Sequence, residues 1–168
     1  MKLFHVSEEN GIEVFAPRPS RFTAEPVVWA VDEAHLRNYL VPRDCPRVTY
    51  YALPTSKPAD VVRFLGSSQA VVAVEAAWLP AILSCCLYLY DLPVSSFYCL
   101  DAGAGHFVSR ETVRPVGVTA VTTPLLALAR QQAEIRILPE LWTLRDAILV
   151  STLQFSFIRM RHAQPRRF

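Results

Sequence analysis

The sequence predicts an α+β fold in a single domain. Segments with strand character outnumber helical segments, and neighbouring strand segments lie too close in sequence for helical crossovers throughout, which argues against a doubly wound α/β sheet. Hydrophobic residues make up 52% of the 168 residues and charged residues 19%, as is typical of a globular chain. This length supports one substantial core and is too short for two comfortable domains, so we expect one domain over residues 1–168.

The first half of the chain carries several predicted strands and one capped helix. Asp32 is well placed to cap a helix over Glu33–Leu40, and the prolines that follow would end it. Val61–Leu65 fits neither a helix nor a strand clearly. Runs of β-forming residues predict the strands Lys2–Ser7, Pro26–Val31, Arg47–Leu53 and Ala70–Glu75.

The second half contains a predicted hairpin and ends in a predicted long helix. The small residues of Asp101–Gly105 predict a turn between Phe97–Leu100 and His106–Ser109. Thr123 and Pro124 suit the N-cap and first turn of a helix over 125–132. The segment from Leu141 to His162 is apolar on most faces and predicts one long buried helix. Strands are also predicted at Tyr88–Leu92, Val113–Val121 and Glu134–Leu138, and a short helix from Trp78 to about Leu87.

Charge, cysteines and hydropathy exclude several classes of protein. The formal net charge of +2 is too mild to indicate nucleic-acid binding by itself. The most apolar stretch, residues 76–90, is shorter than the about 20 residues that span a membrane, so we expect no membrane contact. The N-terminus lacks the apolar core of a signal peptide. Cys45, Cys85, Cys86 and Cys99 have neither zinc-site nor disulfide-scaffold spacing, so we expect free thiols and a cytoplasmic location.

The short motifs of common nucleotide, phosphate and metal sites are absent from the sequence. There is no G-x-G-x-x-G, P-loop, G-x-S-x-G or H-E-x-x-H pattern. The four histidines, at positions 5, 35, 106 and 162, lack ligand spacing, so we expect no metal site. We interpret Asp101–Gly105 as a hairpin turn and not as a phosphate cradle, because no helix is predicted to follow it.

Two further sets of charged residues leave alternatives open. The arginines at 159, 161, 166 and 167 could contact RNA or a phosphate-bearing ligand, or could simply complement the dipole at a solvated helix end, which is the more common role. Glu75 and Glu134 lie next to apolar strand residues, where burial would raise their pKa for acid–base chemistry. Such residues more often sit at strand ends with the carboxylate in water.

His5 lies inside a short apolar strand, Leu3-Phe4-His5-Val6-Ser7. A lone strand histidine is usually structural, but this strand resembles the opening Phe-Tyr-His-Gly-Thr strand of the rifampin ADP-ribosyltransferase family. The second strand of that family, Val-Tyr-x-Thr, is similar to Val28-Trp29-Ala30-Val31. Its Tyr-x-Val-Glu-Pro strand, followed by a Phe and an acidic cluster, is similar to Tyr88–Pro93 with Phe97 and Asp101.

The most specific part of the resemblance is the Tyr-x-Ser-Arg-Glu-Pro-Leu-x-Val-Val-Gly segment of that family, matched here by Phe107–Gly117. The similarity covers patches of residues 2–118, and the extension 119–168 has no counterpart. The chain also resembles an uncharacterised bacterial family with the same His-Val-Ser-Glu-Glu opening and Trp-Ala stretch. The resemblance implies an ADP-ribosyltransferase-type domain with a mixed, strongly bent sheet and peripheral helices.

The resemblance also implies NAD as substrate and a set of site residues. His5 would hydrogen-bond the ribose of NAD, Trp29 would stack on nicotinamide, and Asp101 would stand near the anomeric carbon. Cleavage of the nicotinamide–ribose bond develops positive charge on the sugar, which a fixed carboxylate stabilises. The further residues expected to bind NAD are Ser7, Tyr39, Ser109 and Arg110.

The chain departs from the family pattern at several positions. Val6 replaces a glycine whose backbone comes close to nicotinamide, and Trp29 brings no hydroxyl. Asp91 competes with Asp101 as the key carboxylate, with Glu75 and Glu134 as further candidates. The leading hypothesis is ADP-ribosyl transfer to a small-molecule or macromolecular acceptor. The alternatives are a non-catalytic nucleotide- or protein-binding module of the same fold and an RNA-contacting protein that uses the basic C-terminal segment.

Overall fold

The strands form two sheets in a computed structural model that describes residues 1–166. The larger sheet is antiparallel throughout, in the order β6-β7-β2-β1-β5-β8. Its strands are β1 (Leu3–Ser7), β2 (Val28–Asp32), β5 (Leu87–Leu92), β6 (Tyr98–Asp101), β7 (His106–Ser109) and β8 (Gly117–Val121). The mixed α+β class is therefore confirmed, but two sheets replace the single bent sheet that we expected.

The smaller sheet has the order β10-β3-β4-β9, in which only β4 and β9 are parallel. Its strands are β3 (Arg47–Tyr51), β4 (Ala70–Glu75), β9 (Ala133–Leu138) and β10 (Gln154–Ile158). Every residue of β4 is buried, which explains why its first five residues, Ala-Val-Val-Ala-Val, form a continuous apolar run and not an alternating pattern.

Short helices connect and cover the sheets. The α-helices are α1 (Pro58–Phe64), α2 (Leu79–Ser84), α3 (Pro124–Arg130) and α4 (Trp142–Leu149), and the 3-10 turns are Glu33–Tyr39, Ala76–Trp78, Val94–Ser96 and Met160–His162. The predicted helix after Asp32 is one of these 3-10 turns, and Asp32 caps it as expected by accepting from the His35 backbone N–H at 2.9 Å. The ambiguous segment 61–65 falls mostly in α1. Among residues 1–166, no helix is long and apolar enough to cross a membrane.

The predicted long C-terminal helix, Leu141–His162, is wrong. Helix α4 ends at Leu149, and the chain then forms β10 and a 3-10 turn. The Asp60 carboxylate binds the chain just after the helix, accepting from the backbone N–H and the hydroxyl of Thr152 at 2.8 and 2.6 Å. Residues 154–158 then alternate and pair with β3, as a strand does.

The core joins the two sheets. One cluster of buried side chains combines Val31 of β2 with Val72 and Val74 of β4, so it lies between the sheets. A second cluster lies between the smaller sheet and α4, and a third covers the other face of the larger sheet around Leu3 and Tyr90. Because the sheets share the first cluster, the chain folds as a single domain.

Candidate functional site

Strands β1 and β2 separate after only two paired residues. Leu3 lies opposite Asp32 and Phe4 opposite Val31, whereas β1 continues beside β5 as far as Ser7 and β2 continues beside β7 as far as Val28. We call the resulting gap, between residues 5–7 of β1 and 28–30 of β2, the strand split. In the split the Trp29 carbonyl has no ladder partner from β1, so its hydrogen bond must come from elsewhere.

His5 supplies that hydrogen bond. Its Nδ1 lies 3.0 Å from the Trp29 carbonyl oxygen, and because a carbonyl can only accept, Nδ1 carries the proton. The ring also packs on Phe15, with 4.7 Å between ring centroids. Burial lowers the pKa of His5, more strongly than this backbone hydrogen bond raises it. His5 is therefore a neutral imidazole at pH 7, with Nε2 as its remaining acceptor.

The side chains of His5 and Trp29 leave the larger sheet on opposite faces. The pairing of Leu3 with Asp32 and the alternation of side chains place His5 on the Leu3 face and Trp29 on the Phe4 face. His5 therefore meets Trp29 only at its backbone carbonyl. The half-buried Trp29 ring instead lies edge-on to His106, at 5.4 Å between ring centroids.

Asp101 lies on the same side as Trp29. It pairs with His106 across the β6–β7 hairpin, and its exposed carboxylate accepts from the backbone N–H of Ala104 at 3.0 Å, which closes the turn. Burial lowers the pKa of His106, and the nearby Asp101 charge raises it by less. The hairpin predicted at residues 101–105 is therefore confirmed, and it carries an ionisable pair.

Tyr39 completes this group from the 3-10 turn. Its hydroxyl lies 2.6 Å from Nε2 of His106, and burial raises the pKa of Tyr39. We call Trp29, Tyr39, Asp101 and His106 the hairpin cluster. Sequence reasoning singled out the first three but missed His106, whose partner Tyr39 lies 67 residues earlier in the chain. The one available signal was its position directly after the predicted turn.

A second hydrogen-bonded chain fixes the hairpin to the smaller sheet. His35 bonds through Nδ1 to the Asp32 carboxylate at 2.7 Å and through Nε2 to the Tyr51 hydroxyl at 3.1 Å. That hydroxyl lies 3.0 Å from the Gly103 carbonyl oxygen in the hairpin turn and donates to it. The sequence analysis used Asp32 only as a helix cap and did not identify this series of hydrogen bonds.

The other residues expected to bind NAD make contacts elsewhere. Ser7 accepts from the Glu9 backbone N–H at 3.0 Å. Ser109 is fully buried and donates to the Ser96 hydroxyl at 3.0 Å. The exposed Arg110 forms an ion pair with Glu25 at 2.7 Å. In this conformation Ser109 is not accessible to a ligand.

The alternative carboxylates differ in their surroundings. Asp91 lies in β5 opposite Phe4. Glu75 is fully buried and accepts from the Gln164 backbone N–H at 3.0 and 3.1 Å, so the expectation that it ends in water is wrong. Glu134 binds Arg136 and Ser68, and these hydrogen bonds lower its pKa. The prediction that burial raises the pKa of Glu134 for acid catalysis is therefore wrong.

The basic C-terminal segment is not a solvated helix end. The Arg166 guanidinium pairs with Asp146 at 2.7 Å and lies over the Trp142 ring at 5.3 Å. Arg159 follows β10, with its Nε 3.8 Å from Asp44. Arg161 is exposed in the last 3-10 turn, and Arg167 lies outside the described residues.

Two shallow pockets lie away from the hairpin cluster and from His5. One of about 480 Å³ opens beside Asp32 and Arg37, and one of about 340 Å³ lies between β9 and α4. Neither is lined by His5, Trp29 or Asp101. Within residues 1–166, no group of three or more His, Cys, Asp or Glu side chains could hold a metal ion.

Comparison with known proteins yields a family but no activity. No curated protein and no solved structure matches the chain. Residues 4–163 match a family of unknown function, DUF6886, so the match covers most of the chain, and the protein belongs to this family.

Proposed function

We propose that the protein is an NAD-dependent ADP-ribosyltransferase of ADP-ribosyltransferase-type fold, which transfers ADP-ribose to a small-molecule or macromolecular acceptor. The observation that carries the proposal is the convergence of Trp29, Tyr39 and Asp101 around His106, next to the strand split that holds His5. These five residues come from three separate parts of the chain, and the resemblance to ADP-ribosyltransferases implies site roles for four of them.

The proposed chemistry assigns one task to each group. The Trp29 ring offers an aromatic surface for nicotinamide, and the exposed Asp101 carboxylate stabilises the positive charge that develops on the ribose. His5 lies on the opposite face and makes no contact with the ribose; it holds the Trp29 backbone in place by donating to its carbonyl oxygen. The bond between ribose C1′ and the nicotinamide nitrogen breaks, and neutral nicotinamide leaves with the electron pair. The acceptor then bonds to C1′ and releases a proton to water.

The test measures nicotinamide release from NAD by wild type and by matched carboxylate variants. Asp101→Asn should reduce release by about a hundredfold or more, because one positioned charge is typically worth that much in a transition state. Asp91→Asn, which changes the competing carboxylate in β5, should leave release within about twofold of wild type. The reverse pattern would contradict the assignment of Asp101.

His5 needs a substitution that separates structure from chemistry. His5→Ala would leave the Trp29 carbonyl without its donor, whereas His5→Asn keeps a donor near it and removes the Nε2 acceptor. Because His5 acts only through the Trp29 carbonyl, the proposal expects His5→Asn to keep most of its stability and its nicotinamide release, whereas His5→Ala should lose release. If wild type releases no nicotinamide and NAD causes no shift in its melting temperature, the proposal fails.

Nucleotide binding without turnover is a second candidate function. Val6, in place of the family glycine, packs its side chain against the first core cluster, and neither pocket reaches His5 or Trp29. Both observations favour a site that has lost catalysis. A melting-temperature shift with NAD, without nicotinamide release, would identify this function.

A further inference from the structure

Arg47 is a buried cation without an anionic partner. It opens β3 with only 2% of its surface exposed, and its Nε and Nη1 donate to the carbonyl oxygens of Asn38, Pro42, Arg43 and Cys45 at 2.8–3.3 Å. Among the salt bridges formed by residues 1–166, none involves Arg47. Carbonyl dipoles satisfy its donors but supply no net negative charge, so burial lowers the pKa of Arg47 to about 10.

A second arginine lies next to it. Ile158 of β10 is the direct partner of Arg47 in the strand ladder, so Arg159 follows immediately. Its backbone is left-handed, with φ of 55°, a conformation that is strained for a side chain of this size. The positive charge of Arg159 lowers the pKa of Arg47 further, as expected for like charges held close together.

One carboxylate, that of Asp44, lies beside this pair of arginines and only partly balances their positive charge. The Asp44 carboxylate lies 3.8 Å from the Arg159 Nε, too far for a hydrogen bond, and its side chain is 55% exposed. His162 lies beside Asp44 as well: its Nδ1 donates to the Asp44 carbonyl oxygen and its Nε2 accepts from the Arg161 Nε, both at 2.9 Å. The local charge is therefore net positive.

Tyr39 links the arginines to the hairpin cluster. The Arg47 guanidinium lies over its ring at 5.6 Å. Burial raises the pKa of Tyr39, and the charges of Arg47 and Arg159 only partly oppose this rise. When His106 carries its proton on Nε2, it donates to the Tyr39 oxygen, and the Tyr39 O–H is free to donate to a ligand. Two cations and one hydroxyl donor thus meet beside the site that we propose for NAD.

We infer that Arg159 and Tyr39, backed by the buried charge of Arg47, bind a phosphate group of the ligand. Arg159 and the Tyr39 hydroxyl make the direct contacts, and Arg47 contributes its field from beneath the surface. The inference deepens the proposed function, because NAD carries a diphosphate. It requires only a phosphate-bearing ligand, so it survives if the transfer reaction does not occur.

The test is calorimetric binding of inorganic pyrophosphate at constant ionic strength. Arg159→Gln should weaken binding by about tenfold or more, as the loss of one charge-assisted contact predicts. The control is Arg161→Gln, which removes the same charge from an exposed position two residues away and should change affinity by less than about twofold. Tyr39→Phe keeps the aromatic ring against the Arg47 guanidinium but removes the hydroxyl, so it should also weaken pyrophosphate binding.

The outcomes separate this site from the transfer reaction. If wild type does not bind pyrophosphate, or if the two arginine variants weaken it equally, the phosphate site is wrong. Pyrophosphate binding that depends on Arg159, without nicotinamide release, would support the site and reject the transferase. Nicotinamide release with the same KM for NAD in Arg159→Gln and wild type would reject the site and leave the transferase standing.

Discussion

Individual side chains in this protein combine structural contacts with the proposed chemistry. His5 donates to the Trp29 carbonyl that the diverging strands leave unpaired, so its position in an apolar strand has a structural reason. The sequence could single out His5, because a titratable ring interrupts an apolar run. It could not show that the His5 and Trp29 side chains point to opposite faces, since that depends on the register of two strands about 20 residues apart.

The buried histidines predict how stability changes with pH. Burial lowers the pKa of both His5 and His106 below the 6.5 of an exposed histidine. Below pH 6.5 the unfolded chain therefore binds protons that the folded chain does not, so the free energy of unfolding falls as the pH drops through 6.5 and is flat above it. We expect urea denaturation to give a lower free energy of unfolding at pH 5.5 than at pH 7.5.

His5→Asn and His106→Asn serve as the controls for this prediction. Each variant removes one of the two histidines. The free energy of unfolding of each variant should therefore fall less between pH 7.5 and pH 5.5 than that of wild type. The carboxylates whose pKa is lowered, such as Glu134, titrate below this window. A loss as steep as that of wild type in both variants would show that other groups cause it.

At the scale of elements, the hairpin turn is held by close packing. Gly105 has φ of 66°, and a Cβ there would clash with the His35 ring and lie 2.7 Å from the Asp32 carboxylate. Gly105→Ala therefore combines left-handed strain of about 1–2 kcal/mol with overpacking of about 1–3 kcal/mol. Gly66 has φ of 57° with open space around it. Gly66→Ala should therefore lower the free energy of unfolding only by the left-handed strain, without overpacking. Chemical denaturation that gives equal losses would contradict this packing.

The same elements show what local patterns can and cannot predict. Small residues placed the hairpin correctly, and Asp32 correctly marked a cap, because both depend on neighbours within a few residues. The C-terminal helix was mispredicted because its end depends on Asp60, which binds Thr152 from 92 residues earlier. The alternation in Gln154-Phe155-Ser156-Phe157-Ile158 indicates a strand. The apolar character of the longer segment Leu141–His162 favoured a helix instead.

At the scale of the whole molecule, the chain crosses repeatedly between its two sheets. Strands β3 and β4 belong to the smaller sheet, β5–β8 to the larger, and β9 and β10 to the smaller again. The hairpin cluster lies at the junction, where Tyr51 of the smaller sheet donates to Gly103 of the larger. Sequence patterns predicted most strands, but they do not encode which sheet each strand joins, so the site could be predicted only in separate pieces.

This interleaving predicts that both sheets unfold in one transition. The core cluster that contains Val31 and Val72 is shared, so neither sheet can lose its packing without exposing the apolar face of the other. Trp29 lies in the larger sheet, whereas Trp142 begins the helix that packs on the smaller one. Two variants that each keep one of these tryptophans, W78F/W142F and W29F/W78F, therefore report on the sheets separately.

In each variant, urea denaturation followed by tryptophan fluorescence should give the same midpoint as far-UV circular dichroism of that variant. The comparison within one variant removes any change in stability that the substitutions cause. A slope m at or above the roughly 1–3 kcal/mol/M of small domains would fit one transition over the whole chain. Fluorescence of Trp29 that changes at lower urea than the circular dichroism would instead show that the larger sheet, with the strand split, opens first. The strand split would then open before the smaller sheet, and of the phosphate site only Arg47 in β3 and Arg159 after β10 would stay in place.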